Sequence, residues 1–188
     1  MIKLFFDCEF TGLHKNTTLI SLGIISENGD KLYLEFNDYD KTQVDEWIQK
    51  NVIDKLWVSR TDNTDQKAKV PDYYFHGNKK EMTNQLKKWL SKFGNEEILF
   101  ISDVCHYDFV LLIDLFGSAF DLPKNICPAC YDINQDICNF YNSEMDMRKA
   151  FNTNREELLD TTIKSNIFKH NALWDAEVIK NIYYKYFY

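Results

Sequence analysis

Two carboxylates stand side by side near the start of the chain, in the run Leu4-Phe5-Phe6-Asp7-Cys8-Glu9-Phe10-Thr11-Gly12-Leu13. Successive strand side chains point to opposite faces, so Ile2, Leu4, Phe6 and Cys8 share one face while Lys3, Phe5, Asp7 and Glu9 share the other. So apolar a strand is expected to be central and buried, where acids ending its inner row are costly unless a cation neutralises them. A divalent metal is the simplest such cation. The bland alternative is a pair of solvated carboxylates at a strand end leading into a Thr11-Gly12 turn.

Two other segments offer the same chemistry. Cys105 to Phe116 reads as a helix that is apolar almost all round and deeply buried, yet it contains Asp108 and Asp114. Asp108 shares a face with Leu111, Leu112 and Leu115, whereas Asp114 lies ~240° further round. Its place in the first turn, near the carboxyl end of the preceding strand, favours Asp108; spacing alone leaves Asp103 and Asp114 open. The last segment carries His170 and Asp175. On one helix they would point ~140° apart, so they converge only if His170 precedes the helix. Asn171 is a good cap for a helix over 172–187, which leaves His170 on a loop and puts Asp175 in the stripe of Ala172, Ala176, Ile179 and Tyr183.

The remaining elements must position these groups. Thr17 to Ser26 and Lys31 to Phe36 read as strands joined by Glu27-Asn28-Gly29-Asp30, a strong hairpin signal, so the first three strands should form an antiparallel meander. Val44, Trp47, Ile48, Val52 and Leu56 predict an amphipathic helix over 42–56. Val58 to Gly77 reads as a long polar loop, either functional or mobile or a surface excursion whose Tyr73, Tyr74 and Phe75 tuck onto the core. Asn78 should cap a helix burying Met82, Leu86, Trp89, Leu90 and Phe93 and ended by Gly94, with Lys79, Lys80, Lys87, Lys88 and Lys92 as a solvated face. Glu97 to Ser102 reads as a fourth strand. After a connection over 117–128, helical patterns cover about 130–141 and 144–151.

The 188 residues fit a single domain, 1–188. Phe 14, Tyr 11 and Trp 4 give a well-packed core with aromatics left for stacking. A formal net charge of −7 gives no field attracting a polyanion, so a nucleic-acid partner would have to be held by metal and a local cationic patch. Five cysteines, no signal peptide and no long apolar run suggest a soluble cytoplasmic protein with free thiols and no membrane partner. Cys127-Pro-Ala-Cys130 has metal-ligand spacing, but no second such pair accompanies it, and a turn into a helix is the simpler reading.

The order of these motifs, D-x-E on the first strand, Tyr107-Asp108 opening a middle helix and His170 to Asp175 at the last, resembles the DEDDh 3′-5′ exonuclease superfamily. Asp7-Cys8-Glu9-Phe10-Thr11-Gly12-Leu13 is similar to the D-x-E-x-T-G-hydrophobic signature of oligoribonuclease, ribonuclease T and proofreading subunits, and Ala176 follows Asp175 as in the final motif. A long first helix ending in Trp57, and Ser102-Asp103 ahead of Tyr107-Asp108, look most like the small bacterial and phage exoribonucleases related to ribonuclease T. One departure stands out: an Asn often precedes the middle Asp, whereas Asp103 to Tyr107 here reads Asp-Val-Cys-His-Tyr.

The resemblance implies an α/β fold, a ribonuclease H-like mixed sheet in which the antiparallel three-strand meander is joined by parallel strands and flanked by helices. It implies a metal-dependent exonuclease acting on 3′ ends of single-stranded RNA, or alternatively DNA, and releasing nucleotide monophosphates, with homodimerisation left open. Asp7, Glu9 and Asp175 would hold one Mg²⁺ or Mn²⁺, and Asp7 with Asp108 the second, in a two-metal arrangement. His170 would deprotonate the attacking water. Phe10 and Leu13 would hold or wedge the terminal base, while Thr11 and Gly12 would offer backbone contacts to its sugar. Two other classes compete: a catalytically silent binding domain of the same fold, and a redox or zinc protein built on Cys127, Cys130 and Cys138.

Overall fold

The computed structural model describes residues 1–59, 73–141, 146–159 and 168–188. β1 (Ile2–Phe10) lies inside a six-stranded sheet of order β4-β3-β2-β1-β5-β6. β2 (Leu19–Ser26) and β3 (Lys31–Phe36) continue it as the expected antiparallel meander. Gly29 turns the hairpin with φ of 94°, a conformation that costs glycine little, and Ser26 donates its N–H to the carbonyl of Asp30 at 2.8 Å. β5 (Ile98–Ser102) runs parallel to β1 on its other side, with Leu4 opposite Phe100. β4 (Tyr74–Gly77) and β6 (Tyr131–Asp132) add parallel edges beside β3 and β5.

The alternation of β1 divides the core into two layers. Leu4, Phe6 and Cys8 pack with Leu22, Ile24, Leu32 and Leu34 beneath α2 (Lys79–Leu90) and α3 (Cys105–Phe116). Phe5 packs on the opposite face with Ile101, α4 (Ile133–Phe140) and α7 (Ala172–Tyr186). α2 starts in the reciprocal cap that its sequence suggests: Asn78 accepts the Glu81 N–H at 3.0 Å, and Glu81 accepts the Asn78 N–H at 3.0 Å. No helix among the described residues is long and apolar enough to cross a membrane.

Several expectations need correction. The helix over 42–56 is broken into a 3-10 turn at Lys41–Gln43, a six-residue α1 (Glu46–Asn51) and a second 3-10 turn at Ile53–Lys55. Asp45 is the reason: its carboxylate accepts the Ile48 N–H at 2.7 Å and starts a new helix where the old one should have continued. The apolar stripe survives the break, because Ile48, Val52 and Leu56 still bury together against Ile20. α3 is not buried all round either; Val110 is 62% exposed and Asp114 faces outward. β4 lies where a surface excursion was expected, and only Phe75 of its aromatics packs on the core, since Tyr73 and Tyr74 are exposed. The expected excursion falls largely on 60–72, outside the described residues.

The pattern over 130–141 begins with β6, because Asp132 accepts the Asn134 N–H at 2.8 Å and starts α4 only afterwards. The pattern over 144–151 is α5 (Met147–Asn152), its first two positions lying outside the described residues, and a further α6 (Arg155–Leu158) follows. The cysteines are not all free, since Cys105 and Cys130 form a disulfide, their Cα atoms 6.0 Å apart. Their separation of 25 residues hid the pairing, which exists because parallel β5 and β6 bring the start of α3 beside the residue ahead of β6. Cys130 is thereby removed as a thiolate zinc ligand beside Cys127 and Cys138.

α7 crosses β2 at unusually short range. A Cβ on Gly23 would lie 2.3 Å from the Leu173 nitrogen and 2.4 Å from the Ala172 carbonyl carbon, both backbone atoms that cannot swing aside. Gly23→Ala should therefore destabilise the fold by ~1–3 kcal/mol and displace α7. A variant with wild-type melting temperature and wild-type activity would show that the crossing tolerates a methyl group.

Candidate active site

Asp7 and Glu9 end the inner row of β1, and two helix starts converge on them. Asp108 lies in the first turn of α3 just beyond β5, and Asp175 in the first turn of α7. Asn171, almost wholly buried, caps α7 by accepting the Trp174 N–H at 3.3 Å, and its amide donates to the Tyr33 hydroxyl at 3.1 Å. His170 sits just outside that cap with φ of 65°, and its backbone N–H donates to Asp175 Oδ2 at 2.9 Å. Residues whose helical spacing would point them apart are thus turned toward each other.

The result is two adjoining triads at the floor of a cleft of about 500 Å³. Glu9, His170 and Asp175 each present a donor atom within 4.8 Å of the others, as do Asp7, Asp103 and Asp108. Asp103 therefore joins Asp108 in the cleft. Asp114 does not, since it pairs with Lys79 at 2.5 Å on the outer face of α3. The Ser102 hydroxyl donates to Asp108 Oδ2 at 2.6 Å, which fixes one oxygen of that carboxylate.

Burial and crowding set the electrostatics. Asp7 is pushed well above the usual carboxylate range by burial first, then by repulsion from Asp108, Glu9, Asp175 and Asp103. Burial raises Glu9 in the same way, with Asp175 and Asp108 adding to it. Burial also raises Asp108, against the hydrogen bond from Ser102. Asp175 rises to about 8, through burial and then repulsion from Asp103. His170 moves oppositely, down to about 4, because burial and the positive charges of Lys55 and Lys169 disfavour the imidazolium.

Among the described residues, no lysine or arginine forms an ion pair with Asp7, Glu9, Asp108 or Asp175. A cluster of partly desolvated carboxylates in which Arg155 pairs with Asp103, and which offers oxygen donors and one imidazole, suits a hard divalent cation. The residues present fit such a group.

The neighbouring D-x-E motif divides into parts. Phe10 lines the cleft and stacks on Tyr107, ring centroids 5.5 Å apart and planes at 20°. Gly12 and the exposed Leu13 also line it. Thr11 is buried and turned away: its hydroxyl accepts the Thr18 N–H at 2.8 Å and donates to Gln43 Oε1 at 2.5 Å. The Thr11 N–H donates to the Thr18 carbonyl at 3.0 Å and the Gly12 N–H to Thr17 Oγ1 at 3.0 Å.

Other lining residues escaped the sequence reading. Trp47, from α1, meets the His170 ring nearly edge-on at 5.1 Å, and Phe151 of α5, Arg155 and Lys169 complete the walls. Lys169 adjoins His170 and was open to suspicion on that ground; Arg155 has no such neighbour in the chain.

Residues 2–187 match the family model described as the 3′-5′ exoribonuclease Rv2179c-like domain. Two Mycobacterium tuberculosis proteins, 3′-5′ exoribonuclease Rv2179c of strain ATCC 25618 / H37Rv and 3′-5′ exoribonuclease MT2234.1 of strain CDC 1551 / Oshkosh, are each 24% identical over 125 residues, covering 66% of this chain and 67% of theirs. The fold is similar to that of E. coli ExoI in a zinc-bound complex with single-stranded DNA, with a TM-score of 0.56 and 14% identity over 98% of this chain. This chain spans 39% of that longer one.

The raised Asp175 pKa makes metal-free stability depend on pH. A carboxyl with an unfolded pKa of about 3.9 and a folded value of about 8 contributes fully to stability below about pH 4 and loses that contribution as the pH climbs to about 8. In EDTA, the melting temperature should fall across that window, and Asp175→Asn should flatten the fall. Added Mn²⁺ should raise the melting temperature most at the alkaline end. Identical pH profiles for wild type and Asp175→Asn would contradict the assignment.

Proposed function

The chain belongs to the 3′-5′ exoribonuclease Rv2179c-like family, and on that premise we propose that it removes nucleotides singly from the 3′ ends of single-stranded nucleic acid, RNA in preference to DNA, releasing nucleoside monophosphates. The observation that carries this reading is the meeting of two carboxylate-bearing triads in one cleft that also offers apolar and aromatic walls.

Asp7, Glu9, Asp108 and Asp175 would hold two divalent cations, Mg²⁺ or Mn²⁺. Bound there, the cations would supply the charge stabilisation that phosphodiester hydrolysis requires. The chain's own residues do the rest. His170, kept neutral at physiological pH by burial and by the charges of Lys55 and Lys169, can accept the proton of the attacking water at an imidazole nitrogen, its basicity rising toward the operating pH as substrate phosphate offsets those charges. The hydrogen bond from its backbone N–H to Asp175 and the edge-on contact with Trp47 hold the ring over the cleft.

Phe10, backed by Tyr107, offers a face on which the terminal base can stack, and Leu13 stands at the rim as a wedge. Lys169 and Lys55 lie close enough to act on His170 electrostatically, and they supply the local positive charge that a chain of net charge −7 otherwise lacks. Phosphates entering the cleft would meet these cations beside the acids.

A gel of 5′-labelled single strands with Mn²⁺ tests the reading. Linear RNA should yield ladders shortening by one nucleotide, and circular RNA or RNA ending in a 3′-phosphate should resist. Efficient cutting of the circle would refute end recognition. A 2′-deoxy terminal residue should leave more slowly than a ribonucleotide, and equal rates would overturn the preference for RNA. His170→Ala should reduce turnover by ~10²–10⁴-fold with Mn²⁺ affinity unchanged; an equal loss of metal affinity would recast His170 as a ligand.

A further inference from the structure

Asp103 and Arg155 form an ion pair that the roles proposed above leave unused, and it stands in the cleft. Arg155 Nε donates to Asp103 Oδ2 at 2.6 Å, and both side chains are largely buried. The guanidinium is otherwise occupied with its surroundings. One terminal nitrogen donates to the carbonyls of Ala150 at 2.8 Å and Thr153 at 2.9 Å, at the end of α5, and the other to Asn134 Oδ1 at 2.6 Å on α4. Asn134 in turn donates its amide to the backbone carbonyl of Asp103.

This arrangement decides what Arg155 can do. An arginine presents five N–H donors, and four are committed to the protein, so little remains with which to grip a substrate phosphate. What Arg155 does do is hold Asp103 by one oxygen in a fixed orientation. Asp103 also presents a carboxylate oxygen within 4.8 Å of donors from Asp7 and Asp108. Asp108 is held in the same way, its Oδ2 accepting from the Ser102 hydroxyl. Two carboxylates are each pinned by a hydrogen bond, and both stand within metal-ligating reach of Asp7.

We propose that Asp103 is a third carboxylate ligand, with Asp7 and Asp108, for the divalent cation beside α3, and that Arg155 is the positioning residue that orients it. The inference rests on the exonuclease reading for the presence of a cation. It adds to that reading an acid from the turn ahead of α3 and an arginine far away in the chain. The pairing has an electrostatic merit. Arg155 cancels the charge that Asp103 brings, so the site gains an oxygen donor without gaining net negative charge. Partners of this kind outside the ligand set typically alter metal affinity 10–100-fold when removed.

Mn²⁺ titrations of the whole chain, followed by the electron paramagnetic resonance signal of free Mn²⁺, test this independently of activity. Asp103→Asn should weaken one binding event ~10-fold or more and leave the other unchanged. Arg155→Met should weaken the same event, and Arg155→Lys should restore part of the loss. Because either single variant leaves a buried charge without its partner, the double variant Asp103→Asn/Arg155→Gln is measured as well; it should fold and still show the weakened event. Asp7→Asn serves as the control that disturbs binding. Wild-type isotherms for Asp103→Asn and the double variant, with Asp7→Asn impaired, would overturn the proposal. Failure of the exonuclease reading looks different: wild type would leave RNA intact, while an Asp103-dependent Mn²⁺ isotherm would still support the ligand assignment.

Discussion

Like charges held together in a poorly hydrated place are the constraint on which this structure depends. Asp7, Glu9, Asp108 and Asp175 each have a raised pKa, for which burial is the leading cause and mutual repulsion a further one. Left alone, such a cluster would fly apart or bind protons. It persists because the backbone beneath it has no freedom to yield: β1 is hydrogen-bonded to β2 on one side and β5 on the other, and its flanking side chains are locked into separate core layers.

The two helix starts bring the remaining acids by different means. α3 follows β5 after a short turn, so Asp108 arrives with the strand, and Ser102 at the end of that strand fixes its orientation. α7 comes from the far end of the chain and depends on packing. Gly23 lies opposite Asp7 in the sheet, and its lack of a side chain lets the first residues of α7 touch the β2 backbone. Asn171 then closes the junction by bonding to Tyr33 of β3 as well as capping the helix. A site built from distant segments thus rests on rigid elements at each corner, the condition for placing charges that repel one another.

Around this floor the walls differ in character. Phe10 on Tyr107 and Trp47 against His170 make part of them aromatic, while Lys169 and the Arg155 paired with Asp103 bring charged groups to them. Thr11, within the same motif, serves the fold, since its hydroxyl ties the strand end to Thr18 and Gln43. Part of the D-x-E-x-T-G signature thus holds the turn that presents the rest.

Local order in the chain determined a good deal. Alternation in β1 put Asp7 and Glu9 on one face with Phe5, the Asn28-Gly29 turn set the meander, and Asn78 and Asn171 marked the starts of α2 and α7. These features were legible because period, capping and turn chemistry act between residues a few positions apart. Helical period put Asp108 and Asp114 on different faces, although spacing alone left both Asp103 and Asp114 open. Only the tertiary structure settled what depends on strand order and on contacts across the chain. It joined Cys105 to Cys130, brought Arg155 to Asp103, made β4 an edge strand beside β3, and let Asp45 break a helix that periodicity alone would have continued. An ion pair between residues 52 positions apart leaves no mark on either local pattern; its geometry exists only once parallel strands and crossing helices bring the two side chains to one cleft.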